Sequence, residues 1–154
     1  MPEARTLTAL ATIKRLDPQL GAVIAVDPTA IEQARHADDH RPFNPLGGIP
    51  VLIKDNIETS GPLATTAGSL ALKDNVTGRD APLVARLRSA GAIILGKANL
   101  SEWANIRSSN SISGWSAIGG QTRNPHALDR NPCGSSSGSA AARGARVVMH
   151  PGGT

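Results

Sequence analysis

Three short apolar runs, at 22–26, 49–53 and 92–95, are rich in β-branched residues and separated by stretches with helical spacing. This alternation limits the fold most. Strands that alternate with helices build an α/β fold with a mainly parallel sheet, because the crossovers cover the sheet faces. The run at 49–53, Ile-Pro-Val-Leu-Ile, has no charged position and reads as a strand buried on both faces, with Lys54 at its end.

The flanking pattern predicts the helices. Leu7, Leu10, Ile13 and Leu16 give an amphipathic helix over 6–16, punctuated by Asp17-Pro18. Asp27 is expected to cap a second helix, with Pro28 at its first position, running through Ile31 and Ala34 toward Ala37. Residues 40–48 read as a loop. Asp80 is the expected cap of a third helix, with Pro82 near its start, Leu83 and Leu87 on one side and Gly91 as its left-handed stop. Residues 96–99 lead into a short helical piece at 101–104, residues 107–133 are irregular, and residues 134–142 turn into a helix.

A chain of 154 residues forms one domain with a sizeable core, and 2% aromatic residues mean that Ala, Val, Leu and Ile build it. The net charge of +4 is scattered, the pattern of a solvated surface and not of a nucleic-acid footprint. Cys133 is the only cysteine, so no internal disulfide forms, and it reads as a small packed thiol. No apolar run reaches the roughly 18 residues that cross a bilayer, and the N-terminus lacks a secretory layout, so a soluble cytoplasmic protein is expected. His36, His40, His126 and His150 lack ligand spacing, and neither a metal nor a cofactor is expected. Trp103 and Trp115 read as packing residues, and Arg123 and Asp129 as surface charges more than contacts for a substrate's charged end.

Two segments bear chemistry. A lysine has an ordinary pKa near 10.4, so acting as a base at neutral pH requires burial, which the end of an apolar strand offers Lys54. Pairing with Asp55, or reaching solvent, fits the same position. The run 134–139, Gly-Ser-Ser-Ser-Gly-Ser, precedes three alanines and sets hydroxyls and N–H groups at a helix start, where negative charge is favoured. The same composition describes a flexible linker, and as a phosphate cradle it lacks the Gly-Lys-Ser/Thr ending of a Walker loop.

Several segments taken together carry a resemblance: Gly-Gly-Ile-Pro-Val-Leu-Ile-Lys-Asp-Asn at 47–56, Gly-Lys-Ala-Asn-Leu-Ser-Glu-Trp-Ala-Asn at 96–105, Ser-Ile-Ser-Gly-Trp-Ser at 111–116, Gly-Gly-Gln-Thr-Arg-Asn-Pro at 119–125 and Cys-Gly-Ser-Ser-Ser-Gly-Ser at 133–139. In this order and spacing they resemble the amidase signature family, and their wording is similar to its peptide-amidase branch. The resemblance covers about 21–142 and implies the N-terminal part of the amidase signature fold: an incomplete, mainly parallel or mixed sheet flanked by helices, in a single partial domain over 1–154. It also implies hydrolysis of carboxamide C–N bonds by a lysine and two serines. Lys54 matches the catalytic lysine and Ser135 the bridging serine, which in the family sits on a cis peptide bond. Gly134 suits that bond, and Gly134, Ser136 and Ser137 match the substrate loop. A small-molecule or peptide amide is the implied partner, with no nucleic acid and no membrane.

Residues 143–154 depart from the pattern, which places the family's nucleophilic serine and oxyanion donors past Thr154. A truncated or frame-shifted copy is the simplest account, and the chain alone is expected to hydrolyse no amide. An incomplete sheet exposes an edge, so self-association is expected. The resemblance leaves two alternatives: the glutaminase subunit that supplies ammonia for amidated transfer RNA, and a non-catalytic, vestigial module that binds anions at the Gly/Ser loop.

Overall fold

The computed structural model describes residues 2–39, 45–106 and 108–147. Its elements are α1 (Pro2–Leu20), β1 (Val23–Val26), α2 (Ala30–Asp39), β2 (Pro50–Lys54), α3 (Pro82–Ser89), β3 (Ile93–Ala98), β4 (Trp115–Ser116), β5 (Gly120–Gln121) and α4 (Ser137–Gly144). The main sheet has the order β1-β3-β2, with β2 parallel and β1 antiparallel to β3. It is therefore mixed. Strands β4 and β5 form a separate hairpin within the long segment expected to be irregular.

The two faces of the sheet carry different cores. Ala9, Ile13 and Leu20 of α1, Ala30 and Ala34 of α2, Ile93 and Leu95 of β3, and Ala141 and Ala142 of α4 form the larger cluster. Ile53, Val84 and Ile94 form the smaller one, beneath α3. Alanine at the contacts lets helices approach the sheet closely, which is how a core almost without aromatic residues still excludes water.

Strand register decides which side chains share a face. Val51 pairs with Ile94 and Leu52 with Gly96, so Leu95 is an extra residue in β3. The bulge resets the alternation of faces. Leu95 lies in the α1/α2/α4 core, whereas Lys97, which pairs with Ile53, falls on the α3 side.

Several expectations need correction. Asp17-Pro18 does not stop α1, which runs from Pro2 to Leu20 with Pro18 inside it. Asp17 instead closes the helix behind the proline: Gly21 N–H donates to its carbonyl at 2.8 Å, and Ala22 N–H to its Oδ1 at 2.7 Å. The buried face of α1 is Thr6, Ala9, Ile13 and Leu20, and Leu7 is 47% exposed, because a strict three-residue spacing drifts off a 3.6-residue helix. Asp80 does not cap α3. Ala81 holds that position, and the Asp80 carboxylate accepts from Ser60 N–H at 2.6 Å and Arg88 Nε at 3.0 Å. Val84, not Leu83, is the fully buried residue of α3, while Gly91 does take the left-handed conformation.

The helical piece near 101–104 is a left-handed turn, with φ of 51° at Trp103, 56° at Ala104 and 68° at Asn105. Trp103 and Trp115 are 38% and 37% exposed, so neither is a core residue. Asp129 pairs with its neighbour Arg130 at 3.6 Å, and Arg123 is exposed. His40, His150 and part of the 40–48 loop lie outside the described residues. Among the described residues, no helix is long and apolar enough to cross a membrane, and no cluster of three potential ligands holds a metal geometry.

Candidate functional site

Lys54 is the last residue of β2, on a strand end that both cores anchor, and its side chain is half-buried. Its Nζ lies 2.8 Å from Ser135 Oγ, across 81 residues of sequence. Burial holds the Lys54 ammonium below the ordinary lysine range. Among the described residues, no second hydroxyl hydrogen-bonds Ser135 Oγ.

The serine loop is held by its backbone. The Gly134–Ser135 peptide bond is cis. Ser101 N–H donates to Ser135 O at 2.9 Å, and Gly138 N–H donates to Asn99 O at 2.9 Å, which fixes the loop to the chain leaving β3. Gly138 has to be glycine: a Cβ there would stand 2.6 Å from the Asn99 backbone nitrogen. Gly134 and Ser136 are exposed and Ser135 is half-buried, whereas Ser137 is fully buried and its hydroxyl donates to Cys133 O at 2.6 Å. Ser137 supports the loop from within. Cys133 is exposed, at φ 61°, so the packed thiol expected from sequence does not occur.

Asn99 joins four segments from a fully buried position. Its Nδ2 donates to Gly21 O at 3.1 Å, Gly120 O at 3.1 Å and Thr122 Oγ1 at 3.0 Å. Its Oδ1 accepts from Leu100 N–H at 2.9 Å and Ser116 Oγ at 2.7 Å. Buried Ser101 accepts from Gly114 N–H at 2.9 Å. Loop, hairpin and helix end are thus one hydrogen-bonded unit.

A second lysine lies beneath the first. Lys97 is fully buried; its Nζ donates to Ile57 O at 2.7 Å and Thr65 Oγ1 at 2.8 Å, and stands 3.8 Å from Asp55 Oδ1. Burial pushes its pKa down to about 8, against the pull of Asp55 and Glu58. Burial likewise raises the Asp55 carboxyl, opposed by hydrogen bonds from Thr66 and by the Lys97 charge. Asp55 is therefore the counter-ion of Lys97 and not of Lys54. Sequence reasoning missed Lys97, Asn99 and Ser101 as parts of the site. A signal for them exists: a lysine and an asparagine set in Ile-Ile-Leu-Gly-Lys-Ala-Asn-Leu, with apolar residues on both sides, belong to a buried segment and need buried partners.

Known proteins share these segments. The family model described as Amidase matches residues 4–154. A probable amidase of Arabidopsis thaliana is 51% identical over 145 residues, 90% of this chain and 28% of that protein. A glutamyl-tRNA(Gln) amidotransferase subunit of Symbiobacterium thermophilum is 47% identical over 141 residues, 88% of this chain and 28% of that one. The native peptide amidase of Stenotrophomonas maltophilia superimposes with a TM-score of 0.91 at 52% identity, covering 96% of this chain and 31% of that structure. The chain thus spans under a third of the length of these relatives.

Proposed function

The chain belongs to the amidase family, and from that premise we propose that it carries the base and the proton relay of a carboxamide hydrolase. The observation that supports this reading is the 2.8 Å contact between Lys54 Nζ and Ser135 Oγ, made by an amine that burial biases toward its neutral form. A neutral amine accepts a proton; an ordinary exposed lysine does not.

The proton path runs through both side chains. An attacking hydroxyl adds to the amide carbonyl while its proton passes to Ser135 Oγ, and the Ser135 proton passes to Lys54 Nζ. The resulting ammonium returns a proton along the same path to the departing nitrogen, the C–N bond breaks, and water hydrolyses the acyl intermediate. Gly134 and Ser136, exposed beside Ser135, border the reacting group. The attacking serine is not among the described partners of Ser135, and the chain by itself is expected to turn over no carboxamide. C-terminal peptide amides are the favoured substrate class, on the 52% identity with a peptide amidase. Release of ammonia from glutamine is the second reading, on the 47% identity with an amidotransferase subunit. Strand β2 lies at the edge of its sheet, which supports self-association along that edge.

The test is an NMR titration of the chain with 13C at the lysine ε-carbons, Lys54 being assigned by the signal lost in Lys54→Met. A midpoint below the ordinary lysine value is expected. An ordinary midpoint would sink the base role. Incubation with a peptide carboxamide should release no ammonia, and turnover abolished by Lys54→Ala would show that the chain is catalytically sufficient.

A further inference from the structure

The pair Lys97 and Asp55 takes no part in the proton path, yet both side chains are 0% exposed, a costly place for two charges. A buried pair of this kind is not by itself a source of stability, because desolvation offsets much of the attraction. Its contacts suggest another use. Each of them falls on the segment that leaves Lys54 or on the segment that packs against it.

The Lys97 ammonium reaches Ile57 O and Thr65 Oγ1, three and eleven residues beyond Lys54. Asp55, the residue after Lys54, receives Thr66 N–H at 3.3 Å and the Thr66 hydroxyl on Oδ2, while its carbonyl accepts from Ala67 N–H at 2.9 Å. Its own N–H donates to Ala98 O at 3.1 Å, and Ile57 N–H closes a turn on Lys54 O at 2.9 Å. The backbone on the far side of Lys54 is thereby tied to β3 at both ends. On the near side, β2 is already paired with β3. Lys54 itself faces the serine loop, and the bulge at Leu95 sends Lys97 to the opposite face, so the clamp works from below without touching the reacting amine.

We propose that Lys97, with Asp55, is a positioning residue: from beneath the sheet it fixes the strand end that holds Lys54 Nζ against Ser135 Oγ. This inference rests on the base role of Lys54. The charged groups that face Lys97 are Asp55 on the strand exit and Glu58 on the loop, and Glu58 is itself held at the surface by Arg79 at 2.8 Å. Losing the clamp lets residues 54–59 relax outward, which hydrates the Lys54 amine.

The same 13C titration of the intact chain reads this directly. Lys97→Met keeps the four-atom stem of the side chain and removes its donors, and it is expected to raise the Lys54 midpoint measurably toward the ordinary lysine value. Arg88→Met, which removes a guanidinium from the separate cluster of Asp80, Gln33 and Ser60, should leave that midpoint where it is. A general loss of stability would move neither in this selective way. Should Lys97→Met fail to fold, Thr65→Val removes one Lys97 partner at constant size and is expected to shift Lys54 in the same direction. A folded Lys97→Met chain, or failing that a folded Thr65→Val chain, with an unmoved Lys54 midpoint would overturn the proposal alone. An ordinary Lys54 midpoint in the unaltered chain would overturn it together with the base role.

Discussion

Lys54 and Asp55 are consecutive in the chain yet serve opposite faces of the sheet: Lys54 Nζ meets Ser135 Oγ at 2.8 Å, and Asp55 Oδ1 faces Lys97 Nζ at 3.8 Å. A carboxylate paired with Lys54 would hold it protonated. Sending that carboxylate to a second lysine leaves the first amine with a neutral hydroxyl for company, and desolvation then decides its charge.

Lys54→Met should therefore stabilise the fold slightly at neutral pH. The native environment disfavours the ammonium, and methionine fills the same stem without that penalty; because the half-buried amine is partly screened by solvent, the gain should stay below about 1 kcal/mol. Urea unfolding of the two chains measures it, and a marked loss of stability would mean that the amine is held by contacts stronger than the one to Ser135.

Stability should also rise with pH above neutrality. The folded pKa of Lys97 is about 8, below the unfolded value, and that of Lys54 is lowered too, so between these values the unfolded chain binds protons that the folded chain has shed. The sign is then positive: unfolding becomes harder as pH climbs from about 8 toward 10, by on the order of 2 kcal/mol if Lys97 dominates. Denaturant midpoints at pH 7 and pH 9.5 check this. Lys97→Met should flatten the slope, and a falling midpoint in the unaltered chain would contradict the burial argument.

At Asp17 the acceptor matters more than the charge. Burial raises the Asp17 carboxyl despite its bonds from Ala22 and Val23 N–H, so Asp17→Asn, which keeps an acceptor, should be near neutral. Asp17→Ala orphans those donors at the junction of α1 and β1 and should cost about 1–2 kcal/mol. Equal losses in the two variants, read from thermal or denaturant unfolding, would show instead that the charge is what counts.

Gly138→Ala is expected to be severe for its size. One methyl group meets the Asn99 backbone, which cannot move aside as a flexible side chain does, so α4 must shift. A loss of about 3 kcal/mol or more is expected, together with a Lys54 titration that moves toward ordinary lysine because Ser135 travels with the helix. Ala140→Gly, at an exposed position of the same helix, should cost no more than about 1 kcal/mol and leave the titration alone.

Sequence makes legible whatever local pattern controls. The β-branched run before Lys54, the alternation of strands and helices, and the glycine stop after α3 all appear where residue type dictates them. Misreadings arise where a side chain has two possible partners. Asp80 and Asp17 have the look of a helix cap and a helix stop, but Asp80 is claimed by Arg88 and Ser60, and Asp17 latches α1 onto β1, partners that spacing does not reveal. The contact between Lys54 and Ser135 is expected from the family resemblance. The place of Lys97 is not, because a one-residue bulge decides which face it occupies, and a bulge leaves no mark in hydrophobic periodicity.

Asn99 holds the end of α1, the hairpin and the chain leaving β3 with its side-chain carboxamide, and its backbone carbonyl accepts from Gly138 N–H of the helix that follows Ser135. The serine loop has its own local tie, from the Ser137 hydroxyl to Cys133 O, but its place opposite Lys54 depends on those distant pieces. A nascent or partly assembled molecule therefore keeps the Lys54 amine and the Ser135 hydroxyl apart, and the two meet only once the tertiary structure is complete.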